Sequence, residues 1–322
     1  MLIDLKTPVS DLQRYLFTKG WLQENEQLLR TEKPGEGNMN VVIRIHSNLR
    51  TFILKQSRPF VQKYQEVKAP IERVDVEYEF YRTITSNTLK THLPEALAFD
   101  KNDHVLMLED LGLCDDMTFI YETKKVAHTT IGKLVDILKE LHKTPITKDF
   151  PDNYELRKLN HQHIFVLPFL TDNGFSLNEV QDGLQALSEP FKTNENLKKV
   201  IGDIGEKYLS SGQILLHGDY YPGSWMTNND RIHIIDPEFC FAGFAEFDVG
   251  VMSAHIIMAT MNFEYLESIC DLYGTGLKYN LVKKITAIEI MRRMIGLAQL
   301  PITRRLDEKK YLLDVAQKLI LS

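Results

Sequence analysis

The reading of this chain turns on two short acidic clusters, His217-Gly218-Asp219 and, seventeen residues after Asp219, Asp236-Pro237-Glu238. Each follows a short apolar run, Gln213–Leu216 in the first case and 231–235 in the second, so both can project from one edge of a small sheet. One carboxylate can then orient a hydroxyl and receive its proton. The other, with Glu238, can hold a divalent cation through hard oxygen ligands, and Ser224 between the clusters can add a hydroxyl. The plain alternative is two polar turns that contain acids. The clusters alone do not decide between these readings.

Further charged residues lie outward from them. Gly35-Glu-Gly-Asn-Met-Asn40 precedes a run of strand-forming residues. Its paired glycines let backbone N–H groups approach a phosphate, although a hairpin turn would look the same. It is not a Walker loop, because no Gly-Lys-Ser/Thr follows. Lys55 ends the apolar run Thr51–Gln56, so its ammonium either projects inward or simply caps a strand. An inward lysine needs an anion. The helix expected over 70–84 offers Glu77, which lies at i+3 from Val74 and i−4 from Tyr81 on the apolar stripe. Glu72 and Glu79 fall on the solvated side.

Asp248 opens a later helix, where the helix dipole favours an acid structurally. Arg292 and Arg293 stand side by side on the apolar stretch 288–300. There they either reach solvent or meet an anion, since two buried guanidiniums require counter-charge.

The spacing predicts a helix over Thr7–Gly20, capped by Ser10 and stopped by Gly20. Strands are expected at Asn40–Ile45 and Thr51–Gln56, turning at Ser47-Asn48, and at Val105–Leu108. Beyond Leu111 the period lengthens. Ile131, Leu134, Val135, Leu138 and Leu141 form one helical stripe, and Leu197, Val200, Ile201, Ile204 and Tyr208 another. Helices continue from Phe247, broken near Gly274–Gly276 and Pro301, with a last one over Asp307–Leu321. No internal repeat is visible. The expected fold is α+β and bilobal: a small β-rich N-terminal lobe over 1–110, a hinge at Glu109–Gly112, and a larger, mainly helical C-terminal lobe over 111–322.

The chain has 322 residues, 43% of them hydrophobic and 25% charged, which suits one large or two coupled globular domains. Lys+Arg 38 against Asp+Glu 44 gives a net charge of −6, the wrong sign for a nucleic-acid binder but no obstacle to a small phosphorylated ligand. Cys114, Cys240 and Cys270 show neither zinc nor disulfide spacing. Asp4 and Lys6 interrupt any leader-like start. The apolar stretch 239–261 carries Glu246 and Asp248 and makes a poor membrane span. The expectation is a soluble cytoplasmic protein with no membrane association.

Taken in order, the glycine loop, Lys55, a helix glutamate, a hinge, His-Gly-Asp and Asp-Pro-Glu resemble the protein-kinase-like superfamily. The resemblance is to its aminoglycoside phosphotransferase and methylthioribose kinase branch, from Gly35 to about Leu300. Gly35–Asn38 is similar to the family's G-E-G-N loop and Lys55-Gln-Ser-Arg-Pro59 to its K-Q-x-x-P run. Asp236–Phe239 matches its DPEF motif, and Met291-Arg-Arg-Met-Ile-Gly-Leu-Ala298 its substrate-site arginine pair.

The resemblance implies an ATP-dependent kinase that phosphorylates a hydroxyl of a small molecule, a methylthioribose-like sugar by preference. Asp219 would be the catalytic carboxylate. Asp236 and Glu238, with Ser224, would bind Mg²⁺. Lys55, oriented by Glu77, would hold the α- and β-phosphates beneath the loop of Gly35, Gly37, Asn38 and Asn40. Backbone groups of Glu109 and Leu111 would receive the adenine. Arg292, Arg293 and Tyr221 would line the acceptor site, and the resemblance allows a homodimer.

Where the family commonly reads Leu-His-Thr, this chain reads Tyr220-Tyr221-Pro222. That change motivates a second reading, a catalytically silent kinase-like protein that binds a nucleotide or metabolite. A third, an Fe(II) oxygenase built on His217, Asp219 and His255, leaves Lys55 and the Asp-Pro-Glu cluster without a role.

Overall fold

Five antiparallel strands run in the order Leu28–Glu32, Val41–Ser47, Thr51–Gln56, Val105–Glu109, Ala96–Asp100. Alternation decides their faces. Val41, Ile43, Ile45, Phe52, Leu54, Val105 and Met107 point one way and pack with Leu12 and Leu16 of the helix Val9–Thr18. Lys55, one residue out of phase with Leu54, points the other way, toward the helix Arg73–Thr83. The Ser47–Arg50 turn closes the hairpin where the sequence places it.

The first helix departs from expectation at its start. It begins at Val9, and the Pro8 carbonyl, not the Ser10 hydroxyl, takes the N–H groups of Asp11 and Leu12. Proline fixes its own φ near −56°, and the chain enters the helix two residues earlier than a Ser10 cap would require. Gly20, at φ +69°, ends the segment as read.

The structure, a computed structural model, describes residues 1–35, 37, 39–228 and 231–322. It divides into two units, Met1–Cys114 with His233–Phe239, and Asp115–Ile232 with Cys240–Ser322. The Asp236-Pro-Glu238 segment therefore clusters with the β-rich unit, although it lies far along the chain.

The second unit is mainly helical. The expected stripe of the helix His128–His142 is buried throughout, and the helix Glu195–Leu209 starts on an Asn194 side chain that accepts the Leu197 N–H at 3.0 Å. At the centre lies the helix Glu246–Thr260, buried from Glu246 to Ala259 on every face. A helix apolar all round belongs in a core. The helix Tyr279–Ile295 crosses it at Gly250, whose missing Cβ would stand 2.6 Å from Ile285 Cγ2. The strand Ile214–Leu216 pairs antiparallel with Phe241–Gly243 and delivers the chain to His217. Thus the mixed α and β organisation, strand-rich first and helical after, is the one expected from the sequence. Among the described residues no helix is long and apolar enough to cross a membrane.

Candidate active site

In the first unit Lys55 is the hub. Its Nζ lies 2.6 Å from Glu77 Oε2 and 2.6 Å from Asp236 Oδ1, and only 3% of the side chain is exposed. Glu77 is reached because the helix turns that position, and not Glu72 or Glu79, onto the sheet. Burial alone would lower the Lys55 pKa, but Asp236, Glu77 and Glu238 outweigh it and raise it. Burial pushes Glu77 upward, with Asp236 and Glu238 adding to the effect against the pull of Lys55.

Glu238 is buried beside Arg73, whose Nε is 3.3 Å away, and accepts the Asn40 side-chain N–H at 2.9 Å. The Asn40 amide is thus turned onto Glu238, and Ser57 donates to its oxygen. Asp236 stands at φ +59° with about half its side chain exposed, so its carboxylate remains open on one side. Three carboxyls, Glu77, Asp236 and Glu238, crowd around two cations, Lys55 and Arg73, and burial raises Glu77 to about 8 and Glu238 above the usual carboxylate range, so an added cation would relieve the crowding.

Sequence reasoning overlooked Arg73. It is wholly buried and ties together the carbonyls of Met39, Arg58, Phe60 and Pro70. Its signal was present, since it lies i−4 from Glu77 on the same helical face. The loop that precedes the second strand contains Gly37, where a Cβ would meet the Asn40 carbonyl at 3.3 Å. Gly35 has open space around it, and Asn38 lies outside the described residues.

At the end of the fourth strand, Glu109 N–H bonds the Glu95 carbonyl. The Leu111 N–H makes no hydrogen bond among the described residues. Arg44 holds this segment by pairing with Asp110 at 3.0 Å and donating to the Gly112 carbonyl.

The second unit carries Asp219 on a loop that is anchored from below. Both Asp248 oxygens accept backbone N–H groups, from His217 at 2.7 Å and Gly218 at 3.0 Å, while His142 stands 3.2 Å from the same carboxylate. Ser224 donates its hydroxyl to the Asp219 carbonyl at 3.0 Å. Tyr220 and Tyr221 part company. Tyr220 is fully buried, with its hydroxyl on the Leu134 carbonyl, whereas Tyr221 lies under the Arg293 guanidinium.

Arg292 and Arg293 are both buried, and the anion they require is Glu289, one turn earlier on the same helix. Arg293 also comes within 3.8 Å of Asp219 Oδ1. Burial alone would raise the Glu289 pKa, but the two arginines and His255 outweigh it and hold the carboxyl well below the usual range. His255 bonds Tyr121 through one ring nitrogen and Glu289 through the other, which leaves neither ring nitrogen for a metal and removes the basis of the iron reading.

A lysine of the five-stranded sheet paired with a glutamate of the facing helix, and an anchored His-Gly-Asp loop on a helical unit, accord with a small-molecule phosphotransferase of kinase-like fold, and the family match shows the chain to be one. The chain belongs to the phosphotransferase enzyme family, whose model matches residues 31–280. Methylthioribose kinase of Geobacillus sp. (strain WCH70) is 25% identical, over 89% of this chain and 84% of that protein. The enzyme of that name from Exiguobacterium sibiricum is 26% identical over 71% of this chain, which spans 61% of its length. Among solved structures, choline kinase from Cryptosporidium parvum Iowa II aligns at a TM-score of 0.57 and 11% identity, over 98% of this chain and 94% of that one.

Proposed function

We propose that the protein transfers the γ-phosphoryl group of ATP to a hydroxyl of a small, uncharged, oxygen-rich acceptor, a methylthioribose-like sugar. The observation that carries this is Lys55, held 2.6 Å from both Glu77 and Asp236 in a cluster of three carboxyls. Lys55 engages the α- and β-phosphates while Glu77 fixes its rotamer. The glycine loop covers the phosphates, and Leu111 N–H with the Glu109 carbonyl receives the adenine. Asp219 orients the acceptor hydroxyl and takes its proton.

Among the described residues no three acids, cysteines or histidines converge on a metal. Mg²⁺ needs no such cage, because one or two carboxylates suffice when phosphates complete its shell. Asp236 and Glu238 suit that role in this reading, and Ser224, on the helical unit, is proposed as a further oxygen donor. The ion would neutralise the charge that develops on the transferred group.

The acceptor class follows from charge. Glu289 and Asp219 balance the two arginines, so the site offers hydrogen-bond donors rather than a net negative charge, which suits hydroxyl oxygens better than the ammonium groups of choline, ethanolamine or aminoglycosides. Among the described residues Cys114, Cys240 and Cys270 form no disulfide, which accords with the proposed work in a reducing cytoplasm, and a homodimer is the proposed assembly.

The test is ADP formation from Mg-ATP with methylthioribose, ribose, related pentoses, choline and an aminoglycoside, alongside Asp219→Asn. Acceptor-dependent ADP with a sugar, lost in the variant, supports the reading. Nucleotide binding without turnover on any acceptor would favour the silent alternative.

A further inference from the structure

One buried carboxylate serves two arginines. Glu289 lies three and four residues before Arg292 and Arg293, and its oxygens are divided between them. Oε2 accepts the Arg292 Nε–H, and Oε1 accepts the Arg293 Nε–H at 2.9 Å. The same Oε1 stands 2.9 Å from His255 Nε2, and His255 Nδ1 lies 2.5 Å from the Tyr121 hydroxyl. Tyr121, His255 and Glu289 are all at most 2% exposed. Two guanidiniums keep Glu289 ionised, so His255 must carry its proton on Nε2. Its Nδ1 is then the acceptor, and the Tyr121 O–H donates to it.

The two arginines use their remaining donors differently. Arg293 reaches the Ala298 carbonyl, lies over Tyr221 and approaches Asp219. The two terminal nitrogens of Arg292 make no hydrogen bond among the described residues, although the residue is 6% exposed. The geometry points to Glu289 as the positioning residue of the acceptor site: held by His255 and Tyr121, it fixes Arg293 beside Asp219 and leaves the terminal N–H groups of Arg292 for oxygens of the acceptor. This rests on the proposed reading of Asp219 and the arginine pair as the acceptor side. Without the charge of Glu289 the adjacent guanidiniums repel each other. Arg293 then closes on Asp219, which becomes a weaker base, and Arg292 swings off its aim.

The experiment has two readouts on the full-length protein. In ¹H–¹⁵N spectra without substrate, the Nε–H groups of Arg292 and Arg293 resonate downfield and exchange slowly. Both signatures disappear in Glu289→Gln. In kinetics, Glu289→Gln raises the acceptor KM about tenfold or more and lowers kcat, while the ATP KM stays within about twofold. Tyr121→Phe, which keeps every charge, raises the acceptor KM by a smaller factor and covers the case in which Glu289→Gln does not fold.

Unchanged arginine resonances in Glu289→Gln, or an unchanged acceptor KM in both variants, would overturn the inference. Absence of turnover in the unaltered protein would instead overturn the acceptor-site reading. The Nε–H spectra would then still decide whether Glu289 positions the arginines.

Discussion

Asp248 Oδ2 accepts the His217 backbone N–H at 2.7 Å, and Oδ1 accepts that of Gly218 at 3.0 Å. A carboxylate at the first turn of the central helix thus sets the path of the loop that presents Asp219. Asn at this position keeps the shape but turns an NH₂ group toward one of the two donors. Asp248→Asn is expected to cost about 2–4 kcal/mol in urea unfolding, because a buried donor loses a charged acceptor. It should lower kcat about a hundredfold while leaving the ATP KM nearly unchanged, since the loop shifts as a unit. Equal losses in both parameters would mean that Asp248 supports the fold only.

Asp236 occupies the left-handed backbone region at φ +59°, which Asn tolerates and Ala does not. Asp236→Asn should therefore fold normally yet need about 10–100 times more Mg²⁺ for half-maximal turnover. Asp236→Ala should show the same metal defect and an added stability loss of about 1–2 kcal/mol. Titrating activity against Mg²⁺, with melting curves beside it, separates the two effects.

The contact between Lys55 and Glu77 was legible from the sequence because the two periods of secondary structure decide it. Period two puts Lys55 opposite Phe52 and Leu54, and the helical period selects Glu77 over its neighbours. The strands Leu28–Glu32 and Ala96–Asp100 escaped notice because they flank the sheet. The first has a single buried residue and the second little alternation, so neither shows the pattern of a half-buried strand. Arg73 and Glu289 were overlooked for a common reason. Each sits one turn from a residue that was recognised, on the same buried face, and a charged residue on an apolar stripe is itself a signal of a partner. The link from Tyr121 to His255 spans 134 positions and only the tertiary fold brings it about.

Gly250 lets two helices approach. A Cβ there would stand 2.8 Å from Ile285 Cβ and 3.2 Å from the Thr286 backbone nitrogen. In an exposed helix Gly→Ala would gain about 1 kcal/mol. Here overpacking costs about 1–3 kcal/mol, so Gly250→Ala should lower the unfolding midpoint rather than raise it. The helix carrying Glu289, Arg292 and Arg293 is the one displaced, so the acceptor KM should rise with it. A more stable variant with unchanged KM would show that the crossing yields without strain.

Burial pushes the His255 pKa down from an ordinary 6.5 to about 4; the Glu289 carboxylate opposes this, and the Arg293 and Arg292 guanidiniums reinforce it. The ring is therefore neutral in the folded protein, while the unfolded chain takes up a proton first as the pH falls. Above pH 6.5 both states are neutral at this site and its contribution is intact. Between pH 6.5 and 4 the unfolded state gains the proton alone, and stability is lost. At pH 5 the loss amounts to roughly 2 kcal/mol relative to pH 7.5, by proton linkage. Other groups titrate in the same range, so the quantity to measure is the difference between the unaltered protein and His255→Asn in urea unfolding at the two pH values. The unaltered protein should lose about 2 kcal/mol more than the variant on acidification. Parallel losses in the two proteins would mean that the imidazole titrates alike in the folded and unfolded chain, so that burial does not depress it; a smaller loss in the unaltered protein than in the variant would mean that the folded imidazole is already protonated at neutral pH and donates from both nitrogens.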